Sequence, residues 1–283
     1  MSLIANMSLL SSLKLDHATP FTNSMIMPLT APDVALKKLE HLSLAGLIGL
    51  DDEGCHAMIV KLGPQLRSLS LKGCVQLTDE SLIRIREHCR VLDALDIGGL
   101  GKITKTALLG LFIEGPLLQG GAVVEIPILF DNRIDVDERN DRAASRERGD
   151  PTHAINHDST LSSGSSSIGR LTSISLSGLA SSVDDDVVIQ LCLLGGSMRF
   201  VDLGGCSTLT SRSLTALQLY CGDSLETLDL SFVRNFAENS LGSLVDSAHQ
   251  LRSLSLWGCT QLTRRFFDGH RNDRLAIEGR MDA

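Results

Sequence analysis

Aliphatic residues recur along the chain in the pattern LxxLxL, and each occurrence is followed by a short polar segment and a second apolar run. The alternation in LxL predicts a short β-strand with one buried face, because successive side chains of a strand point to opposite sides. The spacing of Leu82, Ile85 and Cys89 predicts a helix that buries one stripe. The basic unit is therefore a strand, a turn and a helix.

This unit recurs with a period of about 27 residues, and a fixed period of that size predicts a solenoid, because one unit cannot bury its apolar face alone. We predict an α/β leucine-rich-repeat horseshoe of seven to eight repeats, with a parallel inner sheet and outer helices. Pro28 falls where the first helix should run, so the first repeat should be irregular. The repeats are expected to start at Leu10, Leu39, Leu66, Leu92, Leu171, Met198, Leu225 and Leu251.

Two positions recur after each strand. The first is apolar and fairly compact, as a buried turn position requires; its occupants are Ala18, Leu47, Cys74, Leu100, Leu179, Cys206, Val233 and Cys259. The second lies four residues later, or five in the repeat of Leu179, and seven of its eight occupants can accept a hydrogen bond from the first turn of a helix. These predicted helix caps are Thr22, Asp51, Thr78, Thr104, Asp184, Thr210, Ala237 and Thr263.

The repeat register breaks once, between Leu92 and Leu171. Residues 131–150 are highly charged and residues 159–167 are rich in serine, so neither segment buries enough apolar surface to offset its ordering entropy. We therefore predict four regions. They are N-terminal repeats at 10–118, a disordered insertion at 119–169, C-terminal repeats at 170–267 and a C-terminal cap at 268–283.

The composition and net charge limit the possible binding partners and the cellular compartment. The net charge of −8 argues against bulk electrostatic attachment to nucleic acid or to anionic lipid. Seven cysteines without a CxxC pair indicate a reducing environment. No apolar run is long enough to span a membrane, and the apolar N-terminus lacks the basic region of a signal peptide. We expect a monomer in the cytoplasm, the nucleus or both.

No catalytic, nucleotide-binding or zinc-protease motif is found, so we expect neither an enzyme nor a cofactor. The cysteines of the turn position are interpreted as small buried residues, because Leu, Ala or Val fills the same position in other repeats. The run Asp184–Asp186 falls at a helix start, which favours capping over metal binding. His153 and His157 have the spacing of helical metal ligands but lie in a polar segment, which favours solvated loop histidines.

The strand positions whose side chains point away from the core, onto the concave face of the horseshoe, are the main candidate site for a protein substrate or peptide, because burial does not explain their residues. They are small, rich in hydroxyl groups and mildly acidic, which suits a peptide that carries lysine or arginine. Alternatively, Ser and Asp only keep the inner face soluble, and Trp257 only covers the open end of the core. The candidate partner-binding residues are Ser70, Lys72, Asp96, Asp202, Asp229, Ser231, Ser255 and Trp257.

The pattern LxxLxLxGCxxLTDxxL at residues 66–82 resembles the cysteine-containing leucine-rich repeats of F-box proteins. The same repeats occur in the mitotic-exit antagonist family and in the leucine-rich subunit of a DNA-damage-recognition ubiquitin ligase. The resemblance implies that a curved repeat array holds a protein substrate, while an F-box recruits the ligase through its adaptor. No F-box-like segment precedes residue 10. We therefore expect a chain without an F-box or the substrate-binding part of a longer gene product.

Three functional hypotheses follow. The first is a protein-binding module that serves as the substrate-recognition part of an SCF-type ubiquitin ligase. The second is a DNA-repair accessory protein that resembles the damage-recognition subunit, and the third is a regulator of a small GTPase. The turn residues speak against the third, because the Ran GTPase-activating solenoid has Asn there. The second would use a basic C-terminal cluster, which is otherwise a solvated cap: Arg264, Arg265, His270, Arg271, Arg274 and Arg280.

Overall fold

The computed structural model describes residues 9–18, 22–31, 36–112, 168, 170–194, 197–270 and 273–279. Within these ranges, nine short strands alternate with helices. The strands are β1 (Ser12–Lys14), β2 (His41–Ser43), β3 (Ser68–Ser70), β4 (Ala94–Asp96), β5 (Ser173–Ser175), β6 (Phe200–Asp202), β7 (Thr227–Asp229), β8 (Ser253–Ser255) and β9 (Ala276–Glu278). The α-helices are α1 (Met27–Thr30), α2 (Asp52–Leu62), α3 (Asp79–His88), α4 (Lys105–Phe112), α5 (Asp185–Leu193), α6 (Ser211–Cys221), α7 (Glu238–Ser247) and α8 (Arg264–His270). Single 3₁₀ turns at Asn23–Met25 and Gly63–Gln65 complete the described elements.

All nine strands form one parallel sheet in chain order, and every neighbouring pair keeps the same register. β4 pairs directly with β5, so that Ala94 lies beside Ser173 and Asp96 beside Ser175. The repeats on either side of the predicted insertion are therefore adjacent in the sheet. Ile168, which we assigned to that insertion, is fully buried. The remainder of the insertion, apart from this residue, lies outside the described residues.

The buried positions of the strands follow the leucine pattern. In the third repeat, Leu66, Leu69 and Leu71 are at most 1% exposed. The predicted helical stripe is buried as well, since Leu82, Ile85 and Cys89 are also at most 1% exposed. The expected irregularity of the first repeat is confirmed, because its α-helix has only four residues and carries a proline in its first turn.

The predicted cap residues behave as expected in most repeats. The side chains of Asp51, Thr78, Asp184 and Thr210 each accept a hydrogen bond from a backbone N–H of the helix that follows. Thr104 does the same for Ala107 N at 3.3 Å. Thr22 makes no such bond and Ala237 cannot, so the first and seventh repeats lack a side-chain cap.

The first residue of each of the helices α2 to α7 is hydrogen-bonded to the cap residue of the next repeat, which the sequence did not predict. Asp185 accepts hydrogen bonds from Thr210 N at 2.9 Å and from Thr210 Oγ1 at 2.6 Å. Ser213 Oγ donates a third bond to the same carboxylate. Consecutive repeats are thus joined by hydrogen bonds at their helix starts. The pairs are Asp52–Thr78, Asp79–Thr104, Lys105–Asp184, Asp185–Thr210, Ser211–Ala237 and Glu238–Thr263.

This junction predicts an acid-sensitive contribution to stability at Asp52. Burial opposes ionisation of Asp52, but hydrogen bonds from Ser81 and Thr78 outweigh burial and lower the pKa of its carboxyl. A lowered folded-state pKa stabilises the protein above the unfolded pKa, and this stability is lost as the pH falls through the folded pKa. We therefore expect Asp52→Asn to reduce the free energy of unfolding at pH 7 and to have progressively less effect below about pH 4.

Urea unfolding of wild type and Asp52→Asn at a series of pH values measures this difference. An Asp52→Asn difference as large at pH 3 as at pH 7 would contradict the proposed role of the charged carboxylate.

The cysteines of the turn position are buried and also donate hydrogen bonds. Cys206 Sγ lies 3.3 Å from the carbonyl oxygen of Leu176, at the end of the preceding strand. Cys74 and Cys259 make the equivalent contact with Leu44 and Leu230. The thiol therefore links neighbouring repeats, in addition to filling space. The first occupant of this position differs from our expectation, because Ala18 is exposed.

The C-terminal segment contains a strand that the repeat pattern does not predict. β9 pairs with β8, and Ala276 lies beside Ser253. We interpreted residues 268–283 as a cap, and the structure adds a ninth strand to the sheet within it. The signal is weak in the sequence because Leu275 and Ile277 are the only aliphatic residues there that fit the strand pattern.

Candidate protein-binding surface

The side chains on the outward side of the sheet form the candidate surface, which we call the strand face. It comprises the first and third residues of each strand and the residue two positions after the strand. All eight candidate residues occupy such positions. Lys72 and Trp257 are exposed, whereas Ser70, Asp96, Asp202, Asp229 and Ser255 are partly buried.

Ser231 departs from the expectation that burial does not explain these positions. It is only 7% exposed, so most of its surface is already covered within the chain. Its Oγ atom has no hydrogen-bond partner among the described residues. The sequence could not predict the burial of Ser231, because other serines of the strand face, such as Ser255, are only partly buried.

The aspartates of the strand face make hydrogen bonds within the chain. Asp96 accepts from Ser70 Oγ at 3.1 Å and from Gly98 N at 3.2 Å. Asp202 accepts from Ser175 Oγ at 2.7 Å and from Gly204 N at 3.0 Å. Part of their role is therefore structural, since each carboxylate satisfies a backbone N–H where the strand ends.

Asp229 has more capacity for a partner than the other two aspartates. Its Oδ1 accepts from Ser231 N at 2.8 Å. In the part of the chain that the structure describes, no hydrogen bond to its Oδ2 is found. An ionised carboxylate has room for several donors, so this oxygen is available to a ligand.

Trp257 is 44% exposed at the C-terminal end of the strand face. Two further exposed phenylalanines were not predicted as candidates, and one of them, Phe232, lies next to Trp257 in the register. Phe200 is the first residue of β6 and is 38% exposed. Phe232 is 57% exposed and follows β7 in a turn. Large exposed aromatic side chains are unusual on a face otherwise made of small residues, and such residues dominate the energetics of protein interfaces.

Phe232 occupies a position that glycine fills in six other repeats. The backbone there has φ values from 70° to 77° at Gly73, Gly99, Gly178 and their equivalents, a conformation that favours glycine. Phe232 adopts φ of 64°. Its ring lies against Gly258, where an added Cβ would stand 2.4 Å from a ring carbon. The break in the glycine column was the sequence signal for this residue.

The strand face is acidic toward its C-terminal end. Asp202 lies beside Asp229 in the register, and Ser255 lies beside Glu278 of β9. Three arginines border this region, and one of them, Arg252, is exposed beside Glu226. Arg199 is paired with Glu226 at 2.7 Å, and the Nε of Arg234 binds the carbonyl oxygen of Gly258 at 3.1 Å. The region therefore combines carboxylates with exposed aromatic rings.

The fold is shared with a solved structure of low sequence identity. No family model matches the sequence. A chain in the crystal structure of the Rad7 and Elc1 complex in yeast superposes with a TM-score of 0.67 at 20% identity, over 98% of this chain and 56% of that chain. The leucine-rich-repeat-containing protein LegL7 from Legionella pneumophila gives a TM-score of 0.46 at 14% identity, over 89% of this chain and 66% of that chain.

The chain has a leucine-rich-repeat fold. The nine-stranded parallel sheet with its alternating helices and the likeness to the yeast structure both support this assignment. The chain spans little more than half the length of the yeast protein chain that it matches. The likeness therefore concerns the architecture of the repeats.

The remaining candidate sites of the leucine-rich repeats have structural explanations or lie outside the described residues. Asp184 caps α5, and Lys105 Nζ bridges Asp184 and Asp186 at 2.5 and 2.7 Å. Across the described ranges, no group of three or more His, Cys, Asp or Glu could hold a metal ion. His153 and His157 lie outside these ranges.

The basic C-terminal cluster is only partly described. Arg264 lies in α8 and forms an exposed pair with Asp268 at 3.5 Å, while Arg265 is exposed in the same helix. Arg271 and Arg280 lie outside the described residues. Among the helices that are described, none is long and apolar enough to cross a membrane.

Proposed function

We propose that this chain is a protein-binding module whose partner occupies the strand face. The observation that carries this proposal is the exposure of Trp257 beside an acidic region of an otherwise small-residue surface. An exposed indole next to carboxylates offers an apolar anchor together with ion-pair partners, which is the composition of binding hot spots.

The finer proposal is that the chain is the substrate-recognition part of a ubiquitin ligase of the SCF type. Its support is the resemblance of the repeats at residues 66–82 to those of F-box proteins. The yeast structure with the same fold contains Rad7 in a complex with Elc1, so a protein of this architecture assembles with a second protein. By analogy, a partner similar to Elc1 is a candidate adaptor, with the cytoplasm or the nucleus as the compartment.

A photo-crosslinking experiment tests whether the strand face binds a protein. A benzoylphenylalanine residue is placed at Thr227 on the strand face, and in a matched variant at Asn239 on the exposed side of α7. We expect Thr227 to form a discrete crosslinked product with a protein that can be identified. Equal products from both positions, or none from Thr227, would contradict the proposal.

Two further measurements separate the finer hypotheses. Co-purification with a ligase adaptor supports the substrate-receptor role, and its absence argues against it. The DNA-repair alternative has its support in the exposed arginines of α8, and it predicts duplex DNA binding that weakens steeply with salt. Loss of that binding in Arg264→Gln/Arg265→Gln would assign it to α8, whereas salt-independent or absent binding would exclude this alternative.

A further inference from the structure

The carboxylates of Asp202 and Asp229 are the nearest groups to the missing side chain of Gly204 on the strand face. They lie side by side on β6 and β7. A Cβ atom added to Gly204 would stand 3.2 Å from Asp202 Oδ1 and 3.5 Å from Asp229 Oδ1. At the equivalent position of the fourth repeat, a Cβ on Gly98 would stand 2.7 Å from Ser177 Oγ, so a side chain already fills that space. We call Asp202, Gly204 and Asp229 the acidic slot.

The charges around the slot favour a cation. Carboxylates on directly opposed positions of neighbouring strands repel each other, and a positive group between them relieves this repulsion. In the described part of the chain, no arginine forms an ion pair with Asp202 or Asp229. Arg199 pairs with Glu226, and Arg234 Nε donates to the Gly258 carbonyl oxygen. Asp229 Oδ2, which accepts no hydrogen bond in the described part of the chain, is available to a donor.

The unpaired hydroxyl of Ser231 is a second, independent sign of a ligand. Ser231 lies two residues after Asp229, between Gly204 and Trp257 in the register of the strands. It is more than nine-tenths buried, with 7% of its surface exposed, and its Oγ has no partner among the described residues. A buried polar group without a partner is costly, so a ligand that offers it a hydrogen bond would gain affinity.

Aromatic side chains border the slot on two sides. Phe200 precedes Asp202 by two residues on β6, a spacing of about 7 Å along a strand. Trp257 is two strands away from Gly204, or about 10 Å. A long basic side chain can pack its aliphatic stem against such rings while its charged end reaches the carboxylates. An aromatic face also attracts a cation directly.

We propose that the acidic slot binds a lysine or arginine side chain of the protein partner, presented by an extended segment that lies across β6, β7 and β8. This inference rests on the proposed function, since it assumes that the strand face binds proteins. It adds the chemistry of the partner and the position of its anchor residue. Phe200 and Trp257 would contact the residues that flank the basic side chain.

Fluorescence anisotropy with short, extended, labelled peptides tests this proposal. One peptide carries two lysines in a background of Gly, Ser and Leu, the second carries the same lysines acetylated, and the third carries glutamates instead. We expect wild type to prefer the lysine peptide over both others. The variant Asp202→Asn/Asp229→Asn should bind it at least about ten-fold more weakly, because it loses hydrogen bonds to charged groups.

The variants are chosen to preserve the fold. Asparagine keeps the Oδ1 acceptor that binds Gly204 N in one case and Ser231 N in the other. Gly204→Ala places a methyl group in the slot and should weaken binding to a similar extent without changing the charge. Glu53→Gln/Asp223→Asn removes the same charge from exposed positions in α2 and after α6, and it should change affinity by less than about two-fold. Melting curves confirm that all variants are folded.

Three results would overturn the inference. They are equal binding of lysine and acetyl-lysine peptides by wild type, wild-type affinity in Asp202→Asn/Asp229→Asn, and an equal loss in the charge-matched control. The proposed function is tested independently, by the crosslinking experiment at Thr227. If a partner is crosslinked at Thr227 but the lysine and acetyl-lysine peptides bind equally, the basic anchor is wrong and the protein-binding function stands. If no partner is crosslinked at Thr227, the protein-binding function itself is wrong.

Discussion

Cys206→Asp is expected to destabilise the protein by about 4 kcal/mol or more, because it buries a charge without a partner. Cys206 is fully buried, and its thiol donates to the Leu176 carbonyl oxygen at 3.3 Å. A carboxylate cannot donate that bond when ionised and would be buried without a cationic group beside it. Equilibrium urea unfolding at pH 7 measures the loss, provided that the variant folds.

Cys206→Ala and Cys206→Ser serve as matched controls. Alanine leaves a small cavity and removes the hydrogen bond, so it should cost about 1 kcal/mol. Serine keeps a donor and should cost no more than alanine if the hydrogen bond contributes. Burial raises the pKa of the Cys206 thiol to about 12, so it is protonated at neutral pH and is not a nucleophile. Loss of partner binding in folded Cys206→Ala would instead indicate a thiol-specific role.

Replacing Asp185 by alanine should lower the free energy of unfolding by about 3 kcal/mol. Asp185 is 8% exposed and accepts three hydrogen bonds from the next repeat, two from Thr210 and one from Ser213. Alanine would leave these donors without their acceptor at the junction of α5 and α6. Chemical denaturation of the purified variant gives the value.

Asp79→Ala is the comparison for this effect. Asp79 occupies the same helix position, but within the described ranges it accepts two hydrogen bonds, both from Thr104 and both exposed to solvent. We expect a loss of about 1 kcal/mol there. Equal losses in Asp185→Ala and Asp79→Ala would show that burial and the Ser213 bond add no stability at the Asp185 junction.

The strand–turn–helix unit could be predicted from the sequence because its signals are local and repeated. The strand leucines repeat at nearly fixed spacing, and a cap residue such as Thr78 or Asp184 marks most of the helix starts. β9 was missed because a single three-residue strand carries no repeat of its own. Its pairing with β8 depends on a contact between segments, which periodicity does not encode.

The site was only partly predictable for a related reason. Alternation shows that Asp229 and Trp257 lie on the strand face, but it gives neither the burial of Ser231 nor the approach of both carboxylates to Gly204. These depend on the side chains of neighbouring strands and therefore on the register. The carboxylates in the first turns of the helices show the same limit. The sequence places Asp185 at a helix start, where the helix dipole favours a negative charge, but only the structure shows its hydrogen bonds to Thr210.

The interface role of the strand face is tested most directly by Trp257→Ala, with melting temperature and affinity measured on one preparation. The affinity is that for the partner crosslinked at Thr227. Because Trp257 is 44% exposed, we expect a nearly unchanged melting temperature and a loss of about 2 kcal/mol or more in binding, with a smaller loss for Asp229→Ala. A lower melting temperature with wild-type affinity would show that Trp257 only covers the core, and it would contradict the assignment of the strand face as the binding surface.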